Sequence, residues 1–178
     1  MEDIKKFQVI SFMNAFSEGV SGGDTAFIEI FKRINFRNHL ILTSSLGEKL
    51  CRQMGLDAKF ILTTRENKFG SVMITYLFRI ILGSVKAFFL PIPNVIYVSS
   101  DILPDVIPAI CLKIKATFLR KKVIVFQKFF HLNQKSRFIS YNMQLISIKL
   151  MNLYADRVST CSSKSAEVIK LLGVKDLN

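Results

Sequence analysis

The chain has 178 residues, half of them apolar, and 25 Lys and Arg against 13 Asp and Glu give a formal net charge of +12. This length and apolar content suffice for one domain with a hydrophobic core, and they exclude a disordered chain. The charge favours a polyanionic partner: nucleic acid, an anionic membrane surface or a phosphorylated substrate.

The three cysteines, Cys51, Cys111 and Cys161, lie far apart and form no Cys-x-x-Cys pair. The sequence therefore supports neither a disulfide framework nor a zinc site, and we expect no bound metal. The N-terminal residues MEDIKKFQVISFMN lack a long apolar core followed by a small-residue cleavage site. We accordingly expect no secretory signal and a cytoplasmic location.

The first predicted element is a strand from Phe7 to Met13, which is apolar nearly throughout, as expected for a strand buried on both faces of a parallel sheet. The stretch SEGVSGGD, from Ser17 to Asp24, follows it, and a helix with an apolar stripe runs from Thr25 to Ile34. This stretch therefore joins a central strand to the helix that packs on the sheet.

Three glycines in five residues mark this junction as a candidate anion site. They allow positive φ and leave the backbone bare, and the helix adds free N–H groups and a positive dipole end. Gly22 and Gly23 are therefore candidates to contact a phosphate. The spacing is neither the dinucleotide fingerprint nor a Walker loop, and the alternative is a tight turn with Ser21 or Asp24 as helix cap.

Strands and helices alternate along the rest of the chain. Further strands are predicted over His39 to Thr43, Lys59 to Thr64, Asn94 to Ser99, Val123 to Gln127 and Asp156 to Cys161. Helices are predicted from Ser44 to Gly55, Phe69 to Phe89, Ile102 to Leu119, Ser136 to Tyr154 and Ser162 to Gly173. This pattern predicts a single Rossmann-like α/β domain, with a mostly parallel sheet of about six or more strands and helices on both faces.

The helix predicted from Phe69 to Phe89 is apolar nearly all round, and its charged residues are Arg79 and Lys86. Two prolines follow it, so the apolar segment falls short of an uninterrupted membrane span. Two interpretations remain open at this point. The helix is either deeply buried, or it contacts lipid or a partner.

Polar residues at strand ends are the remaining site candidates. Asp101 follows the fourth strand, and His131 follows the fifth, where open α/β sheets place ligand-contacting loops. Asp101 has an alternative role as the N-cap of the next helix. His39, which leads into the second strand, is expected to be solvated or hydrogen-bonded rather than a ligand.

Four stretches together resemble the amino-terminal domain of retaining, family-four glycosyltransferases of the GT-B architecture. They are SGGD after the first strand, NVIYVSSDILPDVIPA (94–109), KKVIVFQKFFHL (121–132) and ADRVSTCSSKSAEVIKLLGV (155–174). Their order and spacing extend the resemblance over nearly the whole chain.

The resemblance implies transfer of a sugar from a nucleotide-diphosphate sugar to an acceptor hydroxyl, with retention at the anomeric carbon and without metal or cofactor. It implies that Gly22 and Gly23 lie beside the donor phosphates, and that His131 faces the transferred sugar as the candidate catalytic residue. Asp101 is placed on the acceptor side. The chain departs from the family at Phe129 and Phe130, where a second histidine or a small residue is common.

The resemblance also implies a second domain. Residues 1–173 correspond to the first domain and 174–178 to the start of a linker, whereas the donor-binding domain is absent. We therefore expect the nucleotide sugar to be shared with a missing C-terminal domain, and this chain alone to be an inactive half. The acceptor is expected to be a glycan or a lipid, and the basic charge with the apolar helix fits peripheral docking on the cytoplasmic face of an anionic membrane.

Two alternatives remain from the sequence. The chain could be a non-catalytic or split-enzyme partner subunit with the same fold. It could also be a basic nucleic-acid-binding module, but the net positive charge is the sole observation that favours this alternative. No helix-turn-helix, zinc spacing or aromatic RNA-binding strand is recognisable in the sequence.

Overall fold

The computed structural model describes residues 8–14, 21–34, 38–65, 69–134, 136 and 138–174, in which six strands and six helices alternate. The strands are β1 (Val9–Met13), β2 (His39–Thr43), β3 (Lys59–Leu62), β4 (Val95–Val98), β5 (Ile124–Phe129) and β6 (Arg157–Thr160). The helices are α1 (Gly22–Ile34), α2 (Ser45–Gln53), α3 (Val72–Phe89), α4 (Leu103–Phe118), α5 (Phe138–Tyr154) and α6 (Ser163–Leu171).

The six strands form one sheet in the order β3-β2-β1-β4-β5-β6, and every neighbouring pair is parallel. This confirms the predicted Rossmann-like α/β fold. The strand order reverses direction between β1 and β4, and parallel sheets open a crevice at the carboxyl ends of strands at such a point.

Side chains alternate between two cores, one on each face of the sheet. Helices α1 and α2 pack on the first face, where Phe27 and Cys51 meet Val9 and Ile41. Helices α3 and α4 pack on the second face, where they contact the strand residues Ile10, Leu40 and Ile96. A third cluster joins α5 and α6 to β5 and β6.

Part of the first face is open. Beside α1 runs an apolar groove of about 290 Å³, whose lining includes Ile34, Val95, Tyr97 and Phe126. The rings of Tyr97 and Phe126 stack in parallel, with their centroids 5.5 Å apart. We name this feature the open groove.

Most predicted elements are found, with shifted ends. Strand β1 begins at Val9, and Phe7 lies outside the described residues. Strand β3 ends at Leu62. Beyond it the Thr63 N–H donates to the Thr43 carbonyl over 2.6 Å, and the Thr63 hydroxyl donates to Asn14 Oδ1 over 2.7 Å. The apolar stripe predicted for α1 comprises Ala26, Phe27, Ile30, Phe31 and Ile34. It is corrected at two positions, because Ile28 is buried as well and Ile34 is 52% exposed.

Candidate functional site

A cleft of about 650 Å³ lies at the carboxyl ends of β1 and β4. Gly22, Gly23, Asp101 and His131, the four candidate residues from the sequence, all line it. They come from the start of α1 and from the loops after β4 and β5. The cleft therefore sits at the point where the strand order reverses, which is the usual ligand position in open α/β sheets.

The start of α1 differs from the predicted glycine turn. Gly22 and Gly23 are the first two residues of the helix and have no positive φ. Ser21 and Asp24 cap the helix reciprocally: the Ser21 hydroxyl donates to Asp24 Oδ2 over 2.6 Å, and the Asp24 N–H donates to Ser21 Oγ over 3.1 Å. Gly19 lies outside the described residues.

Because Ser21 and Asp24 cap the helix, Gly22 and Gly23 occupy its first turn, whose N–H groups have no partner within a helix. Both glycines line the cleft. The start of α1 thus offers backbone donors and the positive end of the helix dipole to an anion in the cleft.

The two glycines have different surroundings. A Cβ atom on Gly22 would have no other atom within 4 Å, whereas one on Gly23 would lie 2.8 Å from Cζ of Phe130. Phe130 thus covers Gly23, and it precedes His131, so the ring ties the loop after β5 to the start of α1.

Asp101 is buried, and its carboxylate is held by α5 rather than by α4. Gln144 Nε2 donates to Asp101 Oδ2 over 2.6 Å and to the His131 carbonyl over 2.7 Å, while Gln144 Oε1 accepts from the Asn133 N–H over 2.7 Å. One amide therefore fixes the loops after β4 and β5. The alternative role of Asp101 as an N-cap is wrong, since Ile102 caps α4 without a side-chain hydrogen bond.

The environment of Asp101 makes it a stronger base than an ordinary aspartate. Burial raises the pKa of Asp101 to about 6, although the hydrogen bond from Gln144 and the nearby charge of His131 act to lower it. The His131 side chain itself is exposed at the cleft.

A second carboxylate, Asp105, lies deeper in the cleft and is saturated with hydrogen bonds. It accepts from the Asn14 N–H over 2.7 Å, the Asn14 amide over 3.2 Å, the Ser99 hydroxyl over 3.2 Å and the Ser100 hydroxyl. Complete burial raises the pKa of Asp105 to about 7, although these hydrogen bonds act to lower it. We interpret Asp105 as the residue that holds the ends of β1 and β4 together.

The network continues into α3 through Arg79, which is fully buried. Its Nη1 donates to the Asn14 carbonyl over 3.3 Å, and its Nε donates to Thr64 Oγ1 over 3.4 Å. Tyr76, one turn earlier on the same helix, lines the cleft. Helix α3 therefore forms one wall of the site.

The charges around the cleft are mostly negative. Asp24, Asp101 and Asp105 line it, and among the described residues no lysine or arginine does. In the part of the chain that the structure describes, no three His, Cys, Asp or Glu side chains converge to hold a metal ion. Among the described residues, the groups that an anion bound here would meet are therefore mainly backbone N–H donors.

His39 lies outside the cleft. It is buried, its Nε2 lies 2.8 Å from Ser11 Oγ, and its ring stacks on Phe31 with centroids 4.3 Å apart. Burial lowers the pKa of His39 to about 4, which keeps the imidazole neutral at pH 7. This agrees with the expected hydrogen-bonded role.

Asn14, Asp105 and Gln144 were not among the residues selected from the sequence. The sequence could have indicated Asn14, because it directly follows the apolar segment of β1, and Asp105, because it is an acidic residue at the start of the helix after β4. For Gln144 the indication was weaker, because an amide within a helix is ordinarily a solvated residue. Its burial follows only from the packing of α5 on the cleft.

No protein-family model matches the sequence, and no curated protein matches it. Several solved structures share the fold. The Anabaena protein HepE in complex with UDP and glucose is 14% identical with a TM-score of 0.62, and the lipopolysaccharide outer core galactosyltransferase WaaB is 15% identical with a TM-score of 0.57. A UDP-N-acetylglucosamine 2-epimerase is 10% identical with a TM-score of 0.63.

These alignments cover 96–98% of this chain but 43–46% of the other chains. The chain therefore spans less than half the length of the structures it resembles. The likeness supports the fold predicted for the amino-terminal half of a GT-B protein, and it does not distinguish the family-four type. At such low identity it shows the fold alone.

Proposed function

We propose that this chain forms the acceptor-side lobe of a glycosyltransferase, which moves a sugar from a nucleotide-diphosphate sugar to an acceptor hydroxyl. The observation that supports the proposal is the common location of Gly22, Gly23, Asp101 and His131 around one cleft. These residues were selected from separate segments of the sequence, and the fold brings them together at the crevice of the sheet.

In this proposal the first turn of α1 binds the donor phosphates. The diphosphate gains negative charge as its bond to the sugar breaks, and preorganised N–H donors stabilise that charge without reorganisation. The exposed position of Gly22 lets a phosphate approach the backbone closely. Because no described lysine or arginine lines the cleft, we propose that a companion lobe supplies the cations that complete the phosphate site.

The acceptor would lie on the other side of the cleft, at Asp101. A carboxylate with a raised pKa accepts a hydrogen bond strongly, and Gln144 fixes its orientation. We propose that Asp101 orients the acceptor hydroxyl and that His131 contacts the transferred sugar. Retention at the anomeric carbon, as in the family-four type, is part of the same proposal.

The companion lobe, in the same polypeptide or in a partner, would bind most of the donor. The chain alone would then bind a nucleotide sugar weakly and transfer none. A split-enzyme subunit fits the same geometry, and a non-catalytic subunit would keep the fold without using Asp101 or His131.

Titration of the ¹⁵N-labelled chain with UDP-glucose, followed by NMR, tests the donor site. We expect saturable shifts of the Gly22 and Gly23 amide signals, with a dissociation constant on the order of 1 mM for this half-site. The matched variant is Gly22→Ala, whose added methyl meets no protein atom and therefore blocks only the approach of the phosphate. We expect at least tenfold weaker binding by that variant.

Two outcomes would contradict the proposal. Amide signals of Gly22 and Gly23 that stay unmoved would remove the phosphate role. The second outcome would be seen with the companion lobe present. If the protein then interconverted sugar epimers and transferred no sugar to an acceptor, the cleft would carry out the reaction of a 2-epimerase.

A further inference from the structure

Helix α3 packs on the domain through its smallest and most polar side. Its buried residues are Thr75, Arg79, Gly83 and Ala87, spaced four apart, and Gly83 lies against Pro108 of α4. The opposite side, roughly half the circumference of the helix, carries large apolar residues. They are Met73, Ile74, Leu77, Phe78, Ile81, Leu82, Val85, Phe88 and Phe89, all at least 38% exposed.

We name these nine residues the apolar face of α3, and we propose that it binds the surface of an anionic lipid bilayer. The helix would lie parallel to the membrane plane, with this face in the headgroup and upper acyl region. Leu77 is 56% exposed, Ile81 is 51% and Phe89 is 79%. A contiguous apolar surface of this extent is costly in water, and lipid removes that cost.

The chemistry of the face favours lipid over a protein. The face contains no Tyr, Trp or Arg, the residues that most often supply the hot spots of protein interfaces, and Lys86 is the charged residue among the exposed residues of α3. A helix whose inner side is packed on its domain and whose outer side is apolar can place that outer side in the membrane interface.

Basic residues flank one end of the face, which favours an anionic bilayer. Arg120, Lys121 and Lys122 follow α4 and are exposed. The ends of α3 and α4 are adjacent, because Lys115 donates from Nζ to the Leu90 carbonyl over 2.7 Å and lies 5.7 Å from the Phe88 ring centroid. Such residues attract anionic headgroups next to inserted apolar side chains.

The packing of α3 argues for a helix that lies on the membrane. Among the described residues, α3 is the helix with the length and hydropathy needed to cross a bilayer. However, Arg79 is fully buried on its inner side and bonds to Asn14 and Thr64 at the ends of two strands. The inner side therefore stays on the domain while the apolar face is free to enter lipid.

The arrangement also relates the membrane to the cleft. Tyr76 lines the cleft from the inner side of α3, within one turn of the buried Thr75 and Arg79. Because α3 forms a wall of the cleft with one side and the proposed membrane contact with the other, the cleft would lie about one helix diameter from the bilayer surface. An acceptor hydroxyl on a lipid headgroup could enter the cleft there. This last step rests on the proposed function, whereas the docking of α3 does not.

Sedimentation with vesicles tests the docking without any nucleotide sugar, so its failure is distinct from failure of the proposed function. We expect the chain to bind phosphatidylcholine vesicles that contain phosphatidylglycerol, and Leu77→Glu with Ile81→Glu to reduce binding at least tenfold. Ile34→Glu on α1 is the matched control, because Ile34 is 52% exposed and Ile81 is 51%. It should bind as the parent does.

The basic residues have their own variant. Arg120→Gln, Lys121→Gln and Lys122→Gln together should weaken binding to anionic vesicles on the order of a hundredfold, since each surface charge contributes about 1 kcal/mol. Binding to neutral vesicles should change little.

A reporter keeps the proposal testable if the charged variants fail to fold. The chain has no tryptophan, so Leu77→Trp introduces a single one, whose emission should shift to the blue on addition of anionic vesicles. Unmoved emission would overturn the proposal. The proposal would also be overturned if the parent chain did not bind vesicles and instead formed dimers that the double variant Leu77→Glu, Ile81→Glu dissociates. The apolar face of α3 would then bind a second copy of the chain.

Discussion

Helices α1 and α3 both pack beside the same sheet and both reach the cleft, yet they place their apolar residues on opposite sides. Helix α1 buries Phe27, Ile28 and Phe31 against the sheet, and its basic residues Lys32 and Arg33 lie in its last turn on the surface. Helix α3 buries small and polar residues and exposes its large apolar ones.

The comparison shows that hydropathy alone does not identify the partner of a helix. The apolar residues of α1 find their partner in the sheet. The apolar residues of α3 face away from the domain. The inner side of α3 packs closely on α4, where Gly83 contacts Pro108, and this side also covers the network of Asn14 and Asp105. The same kind of segment therefore serves the core in one helix and an external surface in the other.

The largest expected effect comes from truncating one apolar residue on each helix. Phe27→Ala should lower the free energy of unfolding by about 3–5 kcal/mol, because it opens a cavity in the first core. Leu77→Ala should change it by less than about 0.5 kcal/mol, because that side chain contacts mainly solvent. Urea unfolding of the two variants measures both. A similar loss in Leu77→Ala would mean that the apolar face of α3 is part of the folded core.

The second prediction concerns the polar network beneath α3. The pKa of Asp105 is raised to about 7 in the folded chain, against 3.8 in the reference state. Between these values the folded chain holds the proton more tightly, so the contribution of Asp105 to stability falls as pH rises from about 4 to about 7. Asp105→Asn removes this titration and keeps an oxygen that accepts from Asn14.

The stability of Asp105→Asn relative to the parent should therefore rise across that pH range, by a few kcal/mol at most. Unfolding of both proteins at pH 4.5, 6 and 7.5 measures the difference. The buried imidazole of His39 contributes the opposite trend, since its pKa is lowered to about 4, but it is present in both proteins and cancels. A difference that stays constant with pH would show that Asp105 keeps an ordinary pKa.

The smallest expected effects come from one glycine in each helix. Gly83→Val should destabilise the fold by about 1–3 kcal/mol, because a Cβ there would lie 2.9 Å from Cγ of Pro108 and would force α3 away from α4. Gly22→Ala should be neutral or slightly stabilising in the unbound chain, because its methyl enters open space. Thermal melts of the two variants measure the contrast. Equal destabilisation would mean that the close contact between α3 and α4 is not what selects glycine.

The order of elements and the parallel sheet could be predicted because they depend on local patterns. Strand β2 runs from His39 to Thr43 as expected, and the helix predicted from Ser162 is found as α6, with Ser162 as its N-cap. The start of α1 was placed too late, because the reciprocal cap between Ser21 and Asp24 outweighs the low helix propensity of Gly22 and Gly23.

The site was less predictable, because its second layer depends on tertiary contacts. Asp101 and His131 could be placed at the crevice from strand ends alone. The bridging amide of Gln144 comes from a helix that follows both loops in the sequence, so no local pattern connects it to Asp101. The orientation of α3 was open for the same reason, since periodicity does not reveal which side meets α4.

The open groove beside α1 has a practical consequence for experiments on this domain. Phe126, whose ring stacks on the buried Tyr97, is only partly covered, whereas the faces of a parallel sheet are normally covered. A polypeptide segment that binds in this groove would stabilise the folded state by about 25 cal/mol for each Å² of apolar surface that it buries. Because a ligand of the folded state raises the melting temperature with its concentration, a thermal-shift screen of candidate polypeptides would find that segment without any enzymatic assay.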